Sequence, residues 1–245
     1  MTVSDGTALV TGAASGIGKA VALRLAQEGR HVLLVDRDAD GLHRLSESIA
    51  AEATPFVVDL ADDASVDRFL ERISGDGIAP EILVNCAGHD RGGRKPLHKG
   101  LADDWRDVVQ VNLIGLMRLT RGIVGGMVER GRGHIVNLGS VAGIRIVADM
   151  AAYSASKAGV HMLSDILRAE LAETPIRVTE ILPGLTRTGI ILDRYRGDPE
   201  LERKYYDEFQ MALEAGDVAE CVMFAVQQPA HVQVAQLVVL PTNRW

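Results

Sequence analysis

A doubly wound α/β domain built on a parallel sheet is the fold this 245-residue sequence predicts. Two features predict it. Short runs that are apolar throughout alternate with longer helical patterns, and a glycine-rich turn separates the first run from the first helix. Strands of that kind need cover on both faces, which the connecting helices of a parallel sheet supply. A third feature is negative: no Ser/Pro-rich or charge-rich linker divides the chain, so residues 1–245 read as one domain.

Taken in order, "TALVTG" leads into a helix from about Ile17 to Glu28, and "HVLLVD" into one from Asp40 to Ala50. "PFVVDL" precedes a helix over Ala64 to Ile73, and "EILVNCAG" precedes a long one over Ala102 to Glu129. "GHIVNLGS" is followed by a helix from Met150 to Leu171, then "IRVTEILPG", and "AQLVVLP" closes the set. Alternation of this kind, with about seven strands, is the signature of βαβ units. Thr186 to Met211 breaks the rhythm with charges and aromatics and reads as a substrate lid.

Composition narrows the function. Hydrophobic residues make up 47% and charged residues 24%, as in ordinary globular chains. A net charge of -7 argues against nucleic acid or an anionic membrane as partner. The opening residues carry no basic segment followed by an apolar run, and no uncharged stretch approaches the roughly 20 residues of a membrane span. The expected location is the cytoplasm. Cys86 and Cys221 lack CxxC spacing and read as small buried side chains. His89 and His98 lie scattered among basic residues, so no metal site is expected.

In "TGAASGIG", residues Gly12, Ser15, Gly16, Ile17 and Gly18 follow the first strand and open the first helix. Glycines there let the backbone approach a pyrophosphate, whose charge the helix amides favour. The spacing departs from GxGxxG, and such a turn alone is also an ordinary structural turn. Asp36 ends the second strand, where a carboxylate can accept from both ribose hydroxyls and would repel a 2'-phosphate. NAD is therefore expected over NADP. Arg37 is the counterargument, since a guanidinium can meet a phosphate. Asp59 with Leu60, and Asn85, Ala87 and Gly88, end the third and fourth strands at the edge where such sheets bind ligands.

Tyr153 and Lys157 in "AAYSASKAGV" share one helix face. A phenol with its reference pKa near 10 is a poor base at neutral pH. A neighbouring ammonium and an oxidised nicotinamide favour tyrosinate, and lowering the pKa by about three units corresponds to roughly 4 kcal/mol. Ser140, at the end of "GHIVNLGS", can orient a substrate oxygen. A Tyr-x-x-x-Lys pair also arises from packing plus a solvated amine. It is the combination with the glycine turn, Asp36 and the strand ends that points to catalysis.

Over essentially its whole length the sequence resembles the short-chain dehydrogenase/reductase family. The matching pieces are "TGAASGIG", Asp59, "NCAG", Asn112 in "VNLIG", Ser140, "YSASK" and "PGLTRT". The resemblance implies a single Rossmann-like domain with a seven-stranded parallel sheet. It implies Tyr153 as general acid/base, Lys157 as its activator and ribose ligand, and Ser140 as the substrate-orienting hydroxyl. Asn112 would hold a water linking the lysine to solvent, and Pro183, Gly184 and Thr188 would border the nicotinamide amide. A homotetramer is implied as well. Val160, Leu163 and Leu167 fit a subunit boundary there, or equally a core face, and Trp245 fits a boundary or a frayed end.

Within the family, "EILPGLTRTG", "DRYRGDPE" and the closing "QQPAHVQVAQLVVLPT" resemble the 3-hydroxy acid, serine and sulfoacetaldehyde dehydrogenases. That branch often uses NADP, from which Asp36 departs, and Thr186 stands where Val or Ile is usual. "GHDRGGRKPLHKG" places His89, Arg91, Arg94, Lys95, His98 and Lys99 beside the expected substrate mouth. Arg145, Arg194 and Arg196 are candidate contacts for a substrate anion. The expected activity is reversible NAD-dependent oxidation of a small polar hydroxy compound, anionic ones included. The alternatives are an NADPH-dependent aldehyde or ketone reductase and a dinucleotide-binding regulatory protein without turnover.

Overall fold

The computed structural model describes residues 6–208 and 211–242, so Trp245 lies outside the described residues. Seven parallel strands form one sheet: β1 (Ala8–Thr11), β2 (Val32–Asp36), β3 (Ala53–Val57), β4 (Ile82–Asn85), β5 (Gly133–Leu138), β6 (Ile176–Pro183) and β9 (Gln236–Val239). A separate short pair joins β7 (Thr186–Arg187) to β8 (Leu213–Glu214). The sheet order is β3-β2-β1-β4-β5-β6-β9. The chain thus builds outward from β1 on one side, then crosses back to β4 and builds outward on the other. The reversal between β1 and β4 opens a crevice at the carboxyl ends of those strands, the usual ligand position in open α/β sheets.

Period-two alternation divides the strands between two cores. Ala8, Val10, Val32, Leu34, Val84 and Val136 face one core with α1 (Gly16–Gln27), α2 (Ala39–Ser48) and α9 (Ala215–Val226). Leu9, Leu33, Val35, Leu83 and Ile135 face the other with α3 (Asp63–Gly75), α5 (Leu116–Arg130) and α6 (Ala151–Glu170). Both faces are covered, which is why the strands are apolar along their whole length. Asp38 and Asp62 cap α2 and α3, their carboxylates accepting from Gly41 N and Ala64 N at 3.0 Å each.

Three expectations are corrected. The long helix over Ala102 to Glu129 is interrupted: α4 (Ala102–Val109) passes into a π-helical turn at Gln110–Gly115 before α5 begins. Asn112, inside that turn, is pulled onto the backbone of the loop after β4. β3 stops at Val57, so Asp59 and Leu60 lie in the loop beyond it. The stretch after Thr186 is largely regular, with β7, α7 (Ile190–Arg194) and α8 (Pro199–Asp207).

Ala102–Arg130 is the one helical stretch among the described residues long and apolar enough to cross a membrane by length and composition. Its Val108, Leu116, Leu119, Ile123 and Met127 are buried. The last four belong to core or sheet-facing positions, which accounts for the hydropathy. Val160 and Leu167 are likewise buried, and Leu163 packs against the core, so these three form a core face. Cys86 and Cys221 are free thiols, and burial pushes Cys86 up to about 12.

His134 at the start of β5 is buried against Thr179, with 2.8 Å between Nε2 and Oγ1, and burial plus the Arg177 charge lowers its pKa to about 3. Below pH 6.5 the unfolded chain takes up a proton that the folded chain refuses. Stability contributed by this site therefore falls as pH drops from 6.5 toward 3, by up to about 1.4 kcal/mol per pH unit. Urea titrations across that range should show a shallower acid decline in His134→Gln than in the parent; identical slopes would contradict the assignment.

Candidate active site

At the carboxyl edge of the sheet the turn after β1 forms the floor of a cleft of about 540 Å³. Gly12, Ser15, Gly16, Ile17 and Gly18 all line it. Gly12 adopts φ +67°, and a β-carbon there would lie 2.9 Å from the Ala87 α-carbon. A β-carbon on Gly18 would lie 2.2 Å from the Gly12 carbonyl oxygen. Both positions must be glycine for the turn to lie flat between β4 and the start of α1. The amides at the start of α1 thereby line the cleft opposite the Thr188 side chain, a cradle suited to a pyrophosphate.

Asp36, Arg37, Asp59, Leu60, Ala87 and Gly88 line the same cleft, as do Pro183, Gly184 and Thr188 on its opposite wall. Asn85 does not. Its amide Nδ2 donates to Thr120 Oγ1 at 3.0 Å and Asn137 Oδ1 at 2.9 Å, and Asn137 donates on to Ser164. The Asn85 side chain is thus consumed by a buried polar chain tying β4, β5, α5 and α6 together. Asp36 ends β2 and lines the cleft, where its Oδ2 accepts from Ala14 N and its Oδ1 from Asp38 N, each at 3.0 Å. Two backbone amides hold the carboxylate that was read as a ribose ligand.

Deeper in the cleft, Ser140, Tyr153 and Lys157 converge. Ser140 caps a single turn, its Oγ accepting from Ala142 N at 3.1 Å, and its hydroxyl acts to lower the pKa of the Tyr153 phenol. The Lys157 ammonium is 5% exposed as a residue and donates to the Leu138 carbonyl at 2.7 Å. It lies 5.9 Å from the centroid of the Tyr153 ring. Burial lowers Lys157 to about 8. Burial raises Tyr153 to about 12, against the opposing hydrogen bond from Ser140. The expected lowering of the phenol by its lysine is therefore not what the protein alone produces: desolvation of the phenolate dominates.

Asn112 lies outside the cleft lining and is fully buried. Its Oδ1 accepts from His89 N at 2.9 Å, while Nδ2 donates to the His89 carbonyl at 3.0 Å and to Ser156 Oγ at 3.1 Å. With both ends of the amide committed, the side chain fastens the loop after β4 to α6.

Of the three arginines singled out, Arg194 alone lines the cleft. Arg196 pairs with Asp104 at 2.7 Å, held there in part by a backbone φ of 56°, and Arg145 lies in the turn after Ser140 away from the lining. Arg194 is 5% exposed, pairs through Nε with Asp90 Oδ2 at 2.7 Å, and lies 5.0 Å over the Tyr205 ring. Its Nη1 is buried without a hydrogen-bond partner. Beside it, Arg91 donates to Asp193 at 3.0 Å. Asp90, Asp193 and Tyr205 were missed in the sequence. The available signal was charge complementarity, since "HDR" after β4 meets "DRYR" in the later segment with opposite signs in register. No group of His, Cys, Asp and Glu among the described residues could hold a metal ion.

The family model for short chain dehydrogenases matches residues 6–197. The chain belongs to that family. It is 35% identical over 237 residues to the NADP-dependent 3-hydroxy acid dehydrogenase of Escherichia coli K12, covering 96% of this chain and 95% of the relative. A probable NADP-dependent dehydrogenase of Haemophilus influenzae is 36% identical, covering 96% and 93%. The closed form of a serine dehydrogenase complexed with NADP+ superposes with a TM-score of 0.93 at 34% identity, covering 98% of this chain and 96% of that one. Membership in the 3-hydroxy acid and serine dehydrogenase branch, expected from the motifs, holds.

The expectation of NAD does not hold: these dehydrogenases are named for, or hold, NADP. The argument from Asp36 treated it as a free carboxylate, whereas two backbone amides offset its charge and the Arg37 guanidinium follows it along the rim.

Replacing Gly18 with Ala drives a methyl into the Gly12 carbonyl. The variant should lose dinucleotide binding, read as quenching of bound NADPH fluorescence, by tenfold or more; retained affinity would contradict the cradle.

Proposed function

We propose that the chain is an NADP(H)-dependent oxidoreductase that interconverts a small hydroxy acid with its carbonyl form. One observation carries the reading. Ser140, Tyr153 and Lys157 stand together in the cleft whose other end is the glycine cradle. The NADP-dependent relatives support the choice of dinucleotide, and Arg37 on the rim offers a guanidinium to a 2'-phosphate.

In this reading Gly12, Ser15, Gly16, Ile17 and Gly18 hold the pyrophosphate, Asp59 and Leu60 border the adenine, and Ala87 and Gly88 leave room for the riboses. Pro183, Gly184 and Thr188 border the nicotinamide. The dinucleotide, when bound, supplies or accepts the hydride. Tyr153 exchanges a proton with the substrate oxygen, and Ser140 holds that oxygen in line. Lys157 offers its ammonium to ribose hydroxyls and opposes the desolvation that holds the phenol near 12. Asn112 positions the loop after β4 against α6.

Arg194 supports the acid in the substrate. A buried guanidinium with one nitrogen unpaired is costly unless a ligand completes it. A carboxylate is the partner its planar fork fits best. The segment 186–211 acts as the lid, since Ile190, Ile191, Asp193, Arg194 and Tyr205 close one side of the cleft and its ion pairs to Asp90 and Arg91 span the mouth. Self-association as a homotetramer is part of the same reading. Ile114 and Met117 around the start of α5, with Met162 and Ile166 on α6, are exposed.

Tyr153→Phe should bind NADPH within about threefold of the parent and lose turnover by a thousandfold or more; turnover within tenfold of the parent would overturn the mechanism. Affinity for NADPH should exceed that for NADH, and the reverse order would defeat the assignment to Arg37. For the substrate, Arg194→Gln should lower kcat/KM for hydroxy acids about a hundredfold relative to uncharged alcohols of the same size. Equal losses on both would remove the carboxylate contact. Taking the ratio within one variant cancels any general damage from leaving Asp90 unpaired.

A further inference from the structure

Behind Gly139, which lines the cleft at the end of β5, lies a charged group that the mechanism above leaves unused. Glu180, in the middle of β6, has no exposed surface. Its Oε2 lies 2.8 Å from His161 Nδ1 and accepts from Gln236 Nε2 at 3.1 Å. Its Oε1 is buried with no partner. A β-carbon on Gly139 would lie 2.4 Å from that oxygen, so only bare backbone separates the carboxylate from the end of β5. Gly139 stands between Leu138, whose carbonyl takes the Lys157 ammonium at 2.7 Å, and Ser140.

On α6, Lys157 and His161 are four residues apart and share the face turned to the sheet. Burying a carboxylate with an unpaired oxygen is a net cost that packing alone does not justify. Its neighbours on β6, Val178, Ile181 and Leu182, show that apolar side chains fill this strand.

We propose that Glu180 is a positioning residue for the reaction, its buried charge keeping Lys157 in the ammonium form and its contact at Gly139 setting where the Leu138 carbonyl and Ser140 sit. The groups facing it are His161 from α6, Gln236 from β9 and the Gly139 backbone from β5; Asp165, 4.0 Å from His161 Nε2, lies one turn further along α6. The inference rests on the role given to Lys157 above.

Two groups oppose the lowering of Lys157 by burial, Cys86 and Glu180. With its own pKa pushed up to about 12, Cys86 is uncharged at neutral pH. Glu180 is then the anion that sustains the ammonium. Neutralising it removes a favourable charge and must move the Lys157 titration downward.

The direct test follows the Lys157 side-chain Cε resonance with pH in 13C-lysine-labelled protein without added nucleotide, assigned by its absence in Lys157→Arg. The parent midpoint should fall near 8, and Glu180→Gln should lower it by about 0.5 to 1 pH unit. Glu180→Asp, which keeps the charge, should recover at least half of that shift. Glu180→Leu, which removes the charge and fills the site with apolar volume, should lower the midpoint likewise and serves where Glu180→Gln fails to fold. An unmoved midpoint in either folded neutralising variant overturns the proposal. Undiminished turnover in Lys157→Arg and Lys157→Met would instead overturn the reading of Lys157 itself, whatever the titration shows.

Discussion

The bond from the Lys157 ammonium to the Leu138 carbonyl, 2.7 Å long and almost wholly buried, is the contact on which the rest of the site depends. An ammonium under a helix, at the edge of a sheet, is costly to desolvate, and its lowered pKa of about 8 measures that cost. What compensates is local. The end of β5 supplies a carbonyl, and the neighbouring strand supplies a carboxylate across bare glycine backbone. Tyr153, one turn before on α6, and Ser140, two residues past Leu138, take their positions from the same two elements that the lysine joins.

Around this centre, polar chains hold the elements in register. Asn85, Asn137, Thr120 and Ser164 link two strands to two helices beneath the cleft, while Asn112 clasps both backbone groups of His89. Each side chain is buried and hydrogen-bonded, although Asn85 Oδ1 has no partner, so sliding the elements would leave further polar groups unsatisfied. Above the centre the fastening is by charge. Asp90 with Arg194 and Arg91 with Asp193 join the loop after β4 to α7 across the mouth of the cleft. Hydrogen bonds hold the elements beneath the cleft, and ion pairs, one of them buried, hold those above it.

The fold was legible in the sequence because its determinants are local. Fully apolar strands and glycines at Gly12 and Gly18 each dictate conformation within a few residues. The π-helical turn at Asn112 was not legible, since it depends on a loop 23 residues away in sequence. The cleft lining was largely legible because it follows from where strands end. Asn85 also ends a strand, yet its amide turns inward to partners on two other elements.

Charge was the least legible property. The sign of Asp36 was read without the two amides that hold it, and the cofactor inferred from that sign was wrong. The phenol was expected low and lies high, because desolvation depends on the whole surrounding packing.

A crystal structure of the chain with bound NADP+ tests the central claim most directly. The account predicts that the dinucleotide runs from the Gly12–Gly18 turn to Tyr153, in hydrogen-bonding contact with the Lys157 ammonium while that ammonium keeps its bond to Leu138. A dinucleotide lying beyond reach of both side chains, or a Lys157 turned out of the β5 edge, would contradict it.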